Sequence, residues 1–243
     1  MKQTLIRFSL LIIFAFLGTG TLYAKIRRVA IVNVIDTTLI HNHLGVTIFT
    51  NKIDTFACQL SCKDFIDMEL SRYLNEYYEV SYISMPDSLR VKVRSINNEW
   101  GYITKAAKPW ILGLRDKYDL VIYVENVPKS NLSLKNVVLQ SNGLYTAGSI
   151  FGIYVYAYST ISFTAINTRD LDILDYEQGL MKYIIPIRKN EYFGNKIEIN
   201  PIMLPLIKSK LENLMDSQIE YFLTNSGLIT KGDFAIMKSK KAE

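Results

Sequence analysis

The chain has 243 residues, 49% of them hydrophobic and 21% charged, with a formal net charge of +5. That length is ample for one domain with a substantial core. So mild a positive charge excludes the strongly basic surface of a nucleic-acid binder, and no nucleic-acid partner is expected. Only two cysteines and two histidines are present, which leaves little material for metal or thiol chemistry.

The N-terminus follows a three-part plan. Lys2 and Arg7 give a positive start, and Phe8 to Leu17 is apolar except for Ser9. Gly18, Gly20 and Ala24 then supply small residues. This is the layout of a secretory signal peptide over residues 1–24. A membrane span needs about 20 apolar residues, so cleavage is expected in preference to retention as an anchor. Cutting after Gly20 meets the small-residue pattern better than cutting after Ala24. A membrane association is expected only if the segment is retained. No cysteine lies near either cut, which argues against a lipid-modified terminus. Removal of Lys2 and Arg7 leaves 26 basic against 23 acidic residues, a net +3. The expected compartment is the periplasm or cell envelope, with secretion as the alternative.

The mature domain opens with Ile26 to Ile35, whose near-continuous β-branched residues predict a buried strand. Val46 to Thr50 reads as a short extended piece. Ser61 predicts an N-cap, with Asp64 three residues later. Cys62, Ile66, Leu70, Tyr73, Leu74 and Tyr77 then share one helical face. Tyr78 to Ile83 alternates as a strand. Ala106 to Lys117 reads as a helix and Tyr118 to Glu125 as a buried strand. Val127 to Asn142 is polar and reads as a loop. Ile153 to Ala165 alternates with period 2, which predicts a long strand with two unlike faces. A turn at Thr168-Arg169-Asp170 makes a hairpin over residues 152–176. A closing helix is predicted with Asn200 as cap and Pro201 at its first position, stopped by Gly227. The expectation is a single α/β domain over residues 25–227, a mixed sheet with helices packed on its faces. A polar, flexible tail is expected over residues 228–243.

No motif of catalytic or cofactor specificity stands out, and neither catalysis nor a cofactor is expected. His41, His43, Cys58 and Cys62 form the single group with metal-ligand chemistry. In a strand the two histidines would share a face, but the spacing matches no standard zinc pattern. An exported metal-binding or thiol-redox protein using these four residues is the competing functional reading. In an oxidising compartment the Cys58/Cys62 pair is expected to form a disulfide. Cys62, near a helix N-terminus, would have a lowered pKa, yet it lies on the apolar stripe. The glycines at 143, 148 and 152 lack the lysine and following helix of a phosphate loop and read as a bent strand. Tyr154, Tyr156 and Tyr158 form a row on one strand face. Tyrosine joins an apolar ring to a polar tip and suits a binding surface. The plainer alternative is a face covered by a helix, such as the closing one.

The element order resembles exported bacterial α/β domains of the TolB N-terminal, curli-secretion lipoprotein and penicillin-binding-protein activator type. The pieces that carry it are RRVAIVNVI at 27–35, DFIDMELSRYLNEYYEV at 64–80 and YDLVIYVENV at 118–127. The segment IYVYAYSTISFTAINTRDLDIL at 153–174 and the helix from Pro201 complete the series. The lipidation cysteine of the lipoprotein members is absent. The resemblance implies a non-enzymatic envelope domain acting as a protein–protein interaction or assembly module, with an envelope protein as partner.

Overall fold

The computed structural model describes residues 27–44, 52–93, 95–97, 102–127, 133–134, 137–139, 141–149, 152–178, 185–187, 199 and 201–241. The signal segment and the extended piece expected at 46–50 lie outside the described residues. The chain forms two mixed five-stranded sheets covered by helices, an α/β fold. No helix among the described residues is long and apolar enough to cross a membrane.

In the first sheet β1 (Arg28–Asn33) is one strand in from an edge. β4 (Glu79–Tyr82) and β5 (Leu120–Asn126) lie parallel on either side of it. β10 (Ile161–Asn167) runs antiparallel to β5, and β11 (Ile173–Gln178) closes that edge through the expected turn at residues 168–170. β1 is connected to β4 through α1 (Cys62–Leu74), where Ser61 caps the helix by accepting from the Asp64 N–H. Residues Cys62, Phe65, Ile66, Leu70, Tyr73 and Leu74 are buried. Tyr77, expected on the same stripe, lies beyond the helix end and is exposed. The expected helix over 106–117 shortens to α3 (Lys108–Leu112), preceded by a single-turn α2 (Asp87–Arg90).

The second sheet has the order β12-β9-β8-β2-β3. β2 (Leu39–Leu44) is flanked by antiparallel β3 (Lys52–Phe56) and parallel β8 (Asn142–Ser149). β9 (Gly152–Ser159) and β12 (Ile185–Ile187) complete it. A short hairpin, β6 (Ser133–Leu134) with β7 (Val137–Val138), interrupts the expected 127–142 loop.

The long alternating segment is therefore not one strand. It divides at Thr160 into β9 and β10, which belong to different sheets, so only β10 and β11 form the expected hairpin. The alternation survives because Val155, Ala157, Ile161, Phe163 and Ala165 all enter one shared core with Val29, Ile31, Ile122 and Leu144. Helices α1 and α4 (Leu204–Asn225) cover that core, with Phe163 stacked on Phe222 at 5.1 Å. The opposite face of the first sheet, with Ala30, Val32, Val121 and Ile166, packs under Met85, Leu89, Ile96, Ile103 and Ile111.

The closing helix starts later than expected. Pro201–Met203 forms a 3₁₀ turn, and Leu204 begins the α-helix with Pro205 in its first turn, where a missing N–H is harmless. Gly227 ends it at φ +70°. The tail expected to be flexible is instead α5 (Lys231–Lys241). Thr230 and Asp233 form a reciprocal cap at its start. Phe234 and Met237 are buried, and Phe234 stacks on Tyr73 at 4.2 Å. Lys238 pairs with Glu220 at 2.7 Å and Asp216 at 3.6 Å. The polar run at 238–241 hid an apolar i, i+3 pair just upstream.

Gly143 sits where β8 meets β2, paired with Ile40. A Cβ there would stand 2.0 Å from the Ile40 carbonyl oxygen, so the strands meet this closely only without a side chain. Gly143→Ala is expected to cost about 3 kcal/mol, roughly 6–12 °C in Tm for a domain this size. Thermal unfolding followed by circular dichroism checks this, and an unchanged midpoint would contradict the close approach.

Candidate functional site

Period-2 geometry gives the second sheet two different faces. Leu39, His41 and His43 on β2 share a face with their register partners Asn142, Leu144 and Thr146 on β8, and with Val155 and Ala157 on β9. This face turns toward the core under α4. Ile40, Asn42 and Leu44 share the other face with Tyr145, Ala147, Tyr156 and Tyr158. There a separate apolar cluster forms from Val127, Leu139, Tyr145, Ala147 and Tyr158, with Leu44 and Tyr156 against it.

The two histidines do share a face, as an HxH strand requires, and they meet at one atom. His41 Nε2 lies 2.9 Å and His43 Nδ1 2.7 Å from Thr146 Oγ1. A threonine hydroxyl has one proton, so at least one of these rings must donate its N–H to the oxygen. His41 is 2% exposed. The bridge joins β2 to β8 across the sheet, and Thr146 is the partner that sequence spacing did not reveal.

The cysteines are elsewhere. Both are free thiols, Cys62 buried and Cys58 partly so. Burial pushes the Cys62 thiol up to about 12, and the nearby Cys58 adds to the rise while a hydrogen bond with Asn142 opposes it. Burial raises Cys58 too. The helix N-terminus was expected to lower the Cys62 pKa, but desolvation outweighs it, and a neutral buried thiol is a poor nucleophile. Among the described residues no three His, Cys, Asp or Glu side chains gather into a metal-holding group. His41 and His43 are therefore not joined by the cysteines.

The tyrosine row divides. Tyr158 is 1% exposed; its hydroxyl accepts from Asn42 Nδ2 at 2.6 Å and donates to the Ile40 carbonyl at 3.4 Å. It is a structural member, closed to a partner. Tyr156 is half-buried, with its ring centroid 6.1 Å from that of Tyr145. Tyr154 lies on the same face of β9, but its side chain is outside the described residues. The closing helix α4 does not cover this face, since it packs on the opposite one. Tyr145 belongs to the aromatic group and was legible only once β8 and β9 were known to pair.

One buried acid also escaped the sequence reading. Glu125, near the end of β5, is 5% exposed and accepts from the Ser95 hydroxyl. Burial pushes its carboxyl up to about 7, while the Ser95 and Ile96 hydrogen bonds pull the other way. Tyr123 faces the same region, within range of Arg90. The folded chain therefore keeps the Glu125 proton over a pH range in which the unfolded chain, near 4.5, has released it. Stability is full below the unfolded value and falls as pH rises toward 7. Glu125→Gln, which cannot ionise, should match the wild type at acid pH and exceed it by about 3 kcal/mol at pH 8. Urea unfolding at both pH values checks this, and a gap that does not widen with pH would refute it.

No family model matches the chain, and no curated protein matches it. Among solved structures, it is similar to a Xanthomonas campestris protein of family DUF330, with 5% identity and a TM-score of 0.40. That match covers 84% of this chain and 86% of that one. It is also similar to a Neisseria meningitidis lipoprotein, with 10% identity and a TM-score of 0.28, over 79% of this chain and 99% of that one. Neither likeness transfers a fold or a function. The resemblance to the TolB N-terminal type rests on element order alone.

Proposed function

We propose that this chain is an exported cell-envelope protein without catalytic activity, and that it binds another envelope protein through the aromatic face of its second sheet. The single observation that carries the reading is the position of that face. There the half-buried Tyr156 lies beside the fully buried Tyr145, on the side of the sheet turned away from α4. Tyr156 is the contact residue, Tyr154 follows it on the same face of β9, and the buried Tyr158 is tied to Asn42 and the Ile40 carbonyl. Tyrosine suits this role because its ring buries area at little entropic cost while the hydroxyl finds polar partners. The signal-like segment at residues 1–24 supports the compartment.

A photo-crosslinking residue at position 156, compared with one at exposed Asp172, tests the partner reading in intact cells. A discrete product from 156 that is missing from 172 is expected. Identical smears from both positions, or none, would sink it.

Export also bears on the cysteines. The structure holds Cys58 and Cys62 as free thiols, and an oxidising compartment would make a disulfide between them the expected state of the exported protein. Denatured, unreduced protein taken from the envelope fraction should take up no thiol label. Two labels per chain would instead report thiols and count against an oxidising compartment.

A further inference from the structure

A cavity of about 470 Å³ opens at the amino-terminal end of the first sheet, lined by Arg28, Arg115, Asp116 and Arg169. Three separate elements bring the guanidinium groups together. Arg28 is the first residue of β1, Arg115 lies in the turn after α3, and Arg169 lies in the turn between β10 and β11. Like charges converge there because Asp119 holds two of them. Its carboxylate pairs with Arg28 at 3.4 Å and with Arg169 at 3.3 Å. The same carboxylate accepts the backbone N–H groups of Arg27 and Arg28 at 3.1 Å and 3.0 Å. Partial burial opposes ionisation of Asp119, yet those N–H groups and the Arg28 guanidinium hold its carboxyl below the usual range. Arg28 is further fixed by donating Nη1 to the Asp116 carbonyl at 3.0 Å.

Arg115 is different. Its one ion pair among the described residues is a loose 3.9 Å contact with its neighbour Asp116, whose side chain is 92% exposed. Such an exposed pair yields readily to a better anion. The site thus has two anchored guanidinium groups, one that is available, and an exposed carboxylate at its rim. Planar guanidinium forks are suited to the oxygens of a phosphate, which they bind in pairs. The volume exceeds that of a bare anion and falls within the range of small-molecule sites.

We propose that this cavity binds a phosphate group, carried either by a small phosphorylated molecule or by the headgroup of an anionic phospholipid. The location makes both sources accessible. Residues 1–26, with the apolar run at 8–17, lead directly into Arg27 and Arg28. The site therefore lies at the end of the domain where any membrane-held segment would enter. It is separate from the tyrosine face, so it stands or falls independently of the partner reading above.

The test uses the full chain with two probes: inorganic phosphate followed by calorimetry, and vesicles of phosphatidylglycerol with phosphatidylcholine against vesicles of phosphatidylcholine alone, followed by co-sedimentation. Arg115→Gln and Arg169→Gln remove charge from exposed side chains, 61% and 56% accessible, so folding should survive. Lys210→Gln, on α4, removes the same single charge elsewhere. Each arginine variant should weaken binding about tenfold, while the lysine control stays near the wild type. Phosphate binding that needs both arginines supports the site with a free ligand. A preference for phosphatidylglycerol that needs both supports it with a lipid headgroup. Binding of neither probe, or equal losses in the arginine and lysine variants, would overturn the proposal.

Discussion

At Thr160 the chain leaves the second sheet and enters the first, and both sheets depend on how that single residue is held. Every polar group it carries is satisfied. Its N–H donates to Asn142 Oδ1 at 3.1 Å and its carbonyl accepts from Val127 at 2.7 Å. Its hydroxyl donates to the Ser141 carbonyl at 2.6 Å and accepts from Asn126 Nδ2 at 3.1 Å. Thr160 is 1% exposed, so each of these bonds replaces one that water would otherwise make. The joint is shared more widely. Asn126 Oδ1 accepts from the Asp36 N–H, and Ser141 Oγ donates to the Thr38 carbonyl. The connection from β1 to β2 is therefore pinned at the same point as the connection from β9 to β10. Two crossings between the sheets are closed by one polar knot.

That knot allows one apolar core to serve two sheets. Because β9 and β10 keep the same side-chain parity across Thr160, their inward residues enter a common volume beneath α1 and α4. Gln218 of α4 extends the arrangement by donating to the Ile161 carbonyl at 3.4 Å, next to the crossing. Over this layer the carboxylate of Asp216 ties the helices together. It accepts from the Tyr73 hydroxyl at 2.8 Å and pairs with Lys238 at 3.6 Å. The C-terminal helix is thus part of the core, and Phe234 is its apolar anchor.

The second sheet carries polar residues in its interior. His41, Asn42 and Thr146 are buried, and their hydrogen bonds run between strands. The His41–Thr146–His43 bridge on one face and the Asn42–Tyr158 bond on the other both act across the sheet. They fix the relation of β2 to its neighbours, since a one-residue slip would send every partner to the wrong face. The aromatic face is built on that fixed register, and so is the close passage of Gly143 past Ile40.

Local pattern alone determined the β1, β5 and α1 segments, the Ser61 cap, the 168–170 turn and the Gly227 stop. Each rests on contacts within a few residues, such as the Ser61–Asp64 bond, or on a long unbroken apolar run. The signal-like layout of residues 1–24 is likewise a property of contiguous sequence. Tertiary structure alone decided where the alternating segment divides, because Thr160 alternates in step with its neighbours and only its distant partners, Asn142, Ser141 and Asn126, reveal the crossing. It decided that the polar C-terminus folds, since Phe234 finds Tyr73 about 160 positions earlier in the chain. It also kept the histidines and cysteines from gathering into one metal-holding group, raised Glu125, and gathered Arg28, Arg115 and Arg169 around one cavity. All of these depend on residues far apart in sequence, where desolvation and charge are set by the neighbours that packing supplies.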